Sequence, residues 1–163
     1  MSAAGRLRIA AATALVAGVA LSARADAPPD QYELFGSAAT EIQDHYTGLV
    51  WERTPAMQPF TYRDALARCA GLSLGSRPSG WRVPSYKELL TLVDERPRTT
   101  YPAGVPVTTA IDFNAFSATI QAPYWTSSID PNAPGSAFAV DFTDGRGRTE
   151  DLTVGLYVRC VHD

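Results

Sequence analysis

The chain has 163 residues with 45% hydrophobic side chains, 12 Pro and 12 Gly, which excludes a disordered chain and leaves no room for two separate cores. Its 14 basic residues face 17 acidic ones, and 11 face 17 once Arg6, Arg8 and Arg24 leave with an N-terminal leader. A surface that acidic excludes general binding to nucleic acid or to anionic membrane.

Residues 1–25 read as an export signal. Arg6 and Arg8 precede an uncharged apolar run from Ile9 to Leu21, and Ala23-Arg24-Ala25 supplies the small-x-small pattern for cleavage after Ala25. The run is too short to cross a hydrocarbon layer of about 30 Å as a helix. A periplasmic or secreted chain without stable membrane insertion is therefore expected, an N-terminal anchor being the alternative. No Cys near the cleavage point and no Arg-Arg pair favour the general export route without lipidation. Residues 26–31 read as a disordered, Pro-rich leader, and residues 32–163 as the folded domain.

Tyr32 to Phe35 and Glu41 to Gln43 are short strand candidates. Asp44-His45-Tyr46-Thr47-Gly48 carries turn chemistry, and Leu49 to Arg53 resumes as a strand. Thr61-Tyr62-Arg63-Asp64 and Ser85-Tyr86-Lys87-Glu88 each fit a capping box. They predict two helices of about ten residues, one stopping at Gly71 and the other at Arg96-Pro97. Residues 97–123 show no period and predict a long irregular region. Tyr124 to Ser128 reads as a strand, and Phe138, Val140 and Phe142 alternate through another. Thr143 to Gly147 is a hairpin turn, and Leu156, Val158 and Cys160 alternate in a last strand. The order predicts an α+β domain with a mixed, mainly antiparallel sheet.

Cys69 and Cys160 are the only cysteines. In an oxidising compartment they imply one structural disulfide closing a loop worth about 4–5 kcal/mol in the chain-entropy model. Zinc ligation and a catalytic thiol are the rival readings. The two distant histidines, His45 and His162, do not give zinc spacing.

Five motifs then occur in order. They are Asp44-x-x-Thr47-Gly48-Leu49-x-Trp51-Glu52; Ala65-x-x-x-Cys69; Gly80-Trp81-Arg82-Val83-Pro84-Ser85-x-x-Glu88-Leu89; Tyr124-Trp125-Thr126-Ser127-Ser128; and Val158-Arg159-Cys160-Val161. Together they resemble the Lcl (Legionella collagen-like) C-terminal domain family from about Tyr32 to His162. The resemblance implies a C-type-lectin-like fold, in which a helix cysteine commonly bridges to the last strand, and an exported bacterial protein. The family's namesake is an adhesin for sulfated glycosaminoglycans. The collagen-like repeat of that protein is absent here, as are the lectins' calcium-binding tripeptides, so calcium-dependent sugar binding does not carry over.

Trp51, Trp81 and Trp125 are expected in the core rather than stacked on sugars. Arg82 and Glu88 are expected to fix a loop and cap the second helix, and Glu52 to pair with Arg159 across the sheet. The acids of Asp130-Pro131-Asn132, Asp141 and Asp144 are oxygen donors in turns, but no 12-residue calcium loop surrounds them. No metal or other cofactor is expected. The pairs Arg96/Arg98 and Arg146/Arg148 read as solvated surface or as a fork for an anion. No nucleophile motif includes His45, His162, Ser127 or Ser128. The reading is a non-catalytic binding module for a glycan, an anionic polymer or an envelope protein. Its candidate ligand residues are Arg98, Tyr101, Asp130 and Asn132, in the stretches 96–123 and 130–135 that scaffold packing leaves free. An assembly subunit of an exported complex is the alternative. An enzyme resembling the formylglycine-generating type ranks below both.

Overall fold

The computed structural model describes residues 27–36 and 39–163. The export signal lies outside them. The domain is α+β. The first hairpins form β1 (Tyr32–Phe35), β2 (Glu41–Asp44) and β3 (Val50–Glu52), joined antiparallel, and β9 (Val161–His162) adds to β3. The expected turn closes by bonds that only a short acid can make. Asp44 Oδ1 accepts from the Tyr46 amide at 3.0 Å and Oδ2 from the Thr47 hydroxyl at 2.7 Å, while Gly48 takes φ +77°. Ahead of β1, the Gln31 amide donates to the Pro28 carbonyl at 3.1 Å.

Helix α1 (Tyr62–Ala70) starts at Thr61, whose Oγ1 accepts from the Asp64 amide. The Asp64 carboxylate returns to the Thr61 hydroxyl at 2.7 Å rather than to the backbone, so this box is half formed. The box at Ser85 is complete: Glu88 accepts from the Ser85 amide at 2.7 Å, and Ser85 Oγ accepts from the Glu88 amide.

The second helix corrects the expected length. Helix α2 (Tyr86–Leu90) is five residues, and β4 (Val93–Thr100) begins where its last turn was predicted. Leu89 and Leu92 are buried, as an i, i+3 stripe requires. From Val93 onward, pairing with β5 (Val107–Ile111) outweighs helix propensity. Pro97 is accommodated at an irregularity in the β4–β5 register, between Val93 and Arg98. The region expected to be irregular from residue 97 is thus a two-stranded ribbon, and irregular chain is confined to residues 112–122.

A third sheet holds β6 (Pro123–Ile129), β7 (Ser136–Asp141) and β8 (Arg146–Asp151), in that order and antiparallel. The expected last strand is mostly broken up. Leu156 bridges Phe60, Tyr157 lies parallel to Tyr124, and the Cys160 carbonyl accepts from the Glu52 amide at 2.9 Å before β9 begins.

Two apolar clusters share β3. Trp51 points into one with Ile42, Leu89, Phe116, Tyr124 and Phe142, and Val50 points into the other with Trp81, Trp125, Val158 and the two cysteines. Alternation therefore buries both faces of the strand. Cys69 and Cys160 form a disulfide, with Cα atoms 5.5 Å apart, that ties α1 to the segment entering β9. The described residues include no helix long and apolar enough to cross a membrane.

Candidate binding surface

The motif residues build the frame of the site. Trp51 and Trp125 are fully buried and Trp81 nearly so. The indole N–H of Trp81 donates to the Arg77 carbonyl at 3.1 Å, and that of Trp125 to Phe60 at 2.8 Å. Removing such a side chain costs about 3–5 kcal/mol. Arg82 meets Glu88 through two bonds of 2.8 Å and also bonds Asp163. The twin bonds from Arg82 come first in holding the Glu88 carboxyl down to about 2, and the Ser85 amide assists.

The expected pairing of Glu52 with Arg159 is not the one formed. The Glu52 carboxylate takes Arg68 from α1 and the Cys160 amide at 3.1 Å. The fully buried Arg159 guanidinium instead donates to the Glu52 and Arg53 carbonyls, at 2.5 and 2.9 Å, and to Thr119 Oγ1 at 2.7 Å. It also lies 4.8 Å from the Phe116 ring centroid. Two other participants escaped sequence reasoning: the half-buried Arg68, and the buried Glu41, which pairs with Arg77 at 3.2 Å. Carboxylates within strand patterns were the available signal, because a buried acid needs a partner.

With the indoles buried, exposed apolar groups concentrate elsewhere. The β4–β5 ribbon turns over a 3₁₀ segment, Pro102–Gly104, with Ala103 at φ +50° and Gly104 at φ +81°. Tyr101 is 68% exposed and Val105 60%, and no charged residue occurs from Thr99 to Ile111. The root of the ribbon is fixed: the Ala110 amide donates to the Phe142 carbonyl at 2.7 Å, and the Thr109 hydroxyl to the same oxygen. Arg98 bonds Asp94 at 2.7 Å. Burial raises the Asp94 pKa, the Arg96 amide opposes this, and Asp112 and Glu95 add to the rise. A cavity of about 50 Å³ beside Arg98 and Thr100 is far below the roughly 300 Å³ of a small-ligand pocket.

Residues 40–162 match the sequence profile of the Lcl C-terminal domain family. The chain belongs to that family. No curated protein matches it in sequence. The Lcl C-terminal domain family is not a known enzyme family.

In this Lcl C-terminal domain the four candidate ligand residues lie in two segments, the β4–β5 ribbon and the turn between β6 and β7. Arg98 and Tyr101 lie on the ribbon, whose root packs against the turn after β7. Asp130 and Asn132 lie in the turn between β6 and β7. Asp130 is also occupied: Oδ1 accepts from the Asn132 amide at 2.8 Å and Oδ2 from the Thr149 hydroxyl at 3.2 Å. Of the second basic pair Arg148 is engaged, with Asp141 at 2.9 Å and with Asp144 at 3.2 Å, whereas Arg146 is 82% exposed and lies 3.9 Å from Asp144.

Serine and histidine are not juxtaposed for acyl chemistry among the described contacts. Ser128 Oγ accepts from the Tyr86 amide at 3.0 Å, His45 meets Glu33 at 3.0 Å, and His162 packs edge-on to Trp81. Among the described residues no three His, Cys, Asp or Glu side chains converge as a metal site. The disulfide is compatible with an extracellular or periplasmic location.

Proposed function

We propose that the chain is an exported, non-catalytic binding module of C-type-lectin-like fold, processed after Ala25 and folded from Tyr32 to Asp163. Its ligand is an uncharged glycan face or the surface of an envelope protein, held by the tip of the β4–β5 ribbon. One observation carries this reading: Tyr101 and Val105 stand exposed on an uncharged protrusion of an acidic chain whose three tryptophans are all buried. Aromatic groups at a binding surface supply large contact area at small entropic cost. Arg98 and Arg148 already bond carboxylates of the domain, which weighs against an anionic polymer as ligand. The turn at Asp130 and Asn132 is a separate, subordinate surface.

The test is an array of neutral and sulfated glycans, together with recovery of envelope proteins, on the purified chain and its Tyr101→Ala variant. Binding to a neutral glycan or to one envelope protein that Tyr101→Ala removes, at unchanged melting temperature, is expected. Binding that survives Tyr101→Ala, or that occurs only with sulfated glycans, overturns the ribbon as the site.

A further inference from the structure

The free edge of β1 carries a second surface. The His45 amide donates to the Gln31 carbonyl at 2.9 Å, and alternation along the ladder then directs the backbone groups of Glu33 and Phe35 toward β2. Tyr32 and Leu34 therefore turn their N–H and C=O groups outward. The strand order ends at β1, so among the described residues no strand covers that side. The edge strand β8 of the third sheet is guarded differently. It reads Arg-Gly-Arg-Thr-Glu-Asp and is almost wholly exposed, the charged pattern by which sheet edges resist added strands. β1 has one charged residue, Glu33, which His45 engages, and Leu34 and Phe35 are 50% and 42% exposed.

Beside that edge runs a trough. Two adjoining cavities, of about 190 and 290 Å³, share Gln31, Tyr32 and Asp112 in their walls. Leu34 lines one of them, while neither Glu33 nor Phe35 lines either, so the trough lies on the side of β1 that carries Tyr32 and Leu34. Its carboxylates are Asp30, Asp94, Glu95 and Asp112, and no Lys, Arg or His among the described residues lines it. The Tyr32 hydroxyl is held above the ordinary tyrosine range, by burial first and then by Asp44, Asp112 and Asp94.

We propose that this trough takes an extended, basic segment of a partner protein, which adds as a strand to the free edge of β1 and sets lysine or arginine side chains against Glu95, Asp112 and Asp30. Strand addition draws affinity from main-chain bonds and selectivity from alternate side chains. An extended chain places every second side chain on one face, about 6.6 Å apart, so alternating basic residues present their charge to one wall. The surface is separate from the ribbon tip and stands whether or not Tyr101 binds a ligand.

The probe is an acetylated and amidated pentapeptide of alternating lysine and valine, titrated at low salt into the chain purified after expression from the whole sequence. Hydrogen exchange on the unaltered protein reads the edge directly: the Tyr32 and Leu34 amides slow when peptide is added. Leu34→Pro removes one outward N–H without taking a bond from the β1–β2 ladder, and most of the affinity is lost. Glu95→Gln with Asp112→Asn, at about threefold each, weakens binding roughly tenfold. The same peptide with glutamate for lysine does not bind. No binding at low salt overturns the proposal. So does binding that spermine matches, with Tyr32 and Leu34 exchange unchanged, since the trough then gathers counterions only.

Discussion

Replacing Cys69 and Cys160 together with alanine is expected to cost about 5–6 kcal/mol. The bond spans a sequence separation of 91 residues, and the chain-entropy relation for a loop of that size gives about 4.6 kcal/mol at 25 °C. Both cysteines are fully buried in the cluster holding Trp81 and Trp125, so loss of two sulfurs adds a small void worth about 1 kcal/mol. Against a total stability of about 5–15 kcal/mol, the combined loss removes a third or more of it. A domain of this size loses about 3 °C per kcal/mol, which places the expected drop near 15–18 °C. The assay is a thermal melt by far-ultraviolet circular dichroism, with thiols counted by mass spectrometry on the same preparation. A double variant melting within about 3 °C of a parent that holds no free thiol would refute the reasoning. It would mean that the burial around Val50 and Val158 holds the end of the chain without the cross-link.

Glu88 gives a pH signature. Its folded pKa of about 2 lies below the ordinary 4.5, so its stabilisation is fully present above about pH 4.5 and is lost as pH falls through 2. With Arg82 37% and Glu88 26% exposed, solvent screening discounts the effect to roughly 1 kcal/mol. Glu88→Gln is expected to lose that amount at neutral pH and to show a flatter stability profile between pH 4.5 and 2; an unchanged slope in urea titrations would count against the pairing. Glycines 145 and 104 test how the ribbon is rooted. Both have positive φ, but a Cβ at Gly145 would stand 2.7 Å from Val93 Cγ1 and 3.2 Å from Ala110 Cβ, whereas one at Gly104 meets nothing within 4 Å. Gly104→Ala is expected to cost about 1 kcal/mol and Gly145→Ala about 2–4 kcal/mol by urea midpoint. Equal losses would show that the turn after β7 does not clamp the ribbon.

Segments whose pattern follows from burial were legible in the sequence. The first strands, both helix starts, the three core tryptophans and the disulfide are all read from groups with one physical demand each: an alternating face, an orphan amide, a large apolar surface, an oxidised thiol pair. The β4–β5 ribbon was not, because five of the eight residues of β4, Glu95 to Thr99, are exposed and none is buried, so no face produces alternation, and Pro97 reads as a stop. Helix α2 was overextended for the same reason. Leu89, Leu90, Leu92 and Val93 look like a continuing helical stripe, and only the distant strand ending in Ile111 decides that Val93 is extended.

Polar partners were harder still. Charge pairs Glu52 with Arg159 on paper, but a guanidinium is a planar fork that carbonyl oxygens can also satisfy, and Arg68 in α1 reaches Glu52 instead. The same limit bears on the binding surface. Tyr101 could be nominated from sequence because aromatic residues outside the core have few other duties, whereas Asp130 looked equally available until its carboxylate was seen to hold its own turn and Thr149. The trough along β1 had no signature at all. Its carboxylates come from residues 30, 94, 95 and 112, and only the folded chain brings them together beside β1. What the sequence did carry was negative: a four-residue strand with one acid and no lysine or proline to guard it. An unguarded edge is costly to leave exposed, and a partner strand would remove that cost.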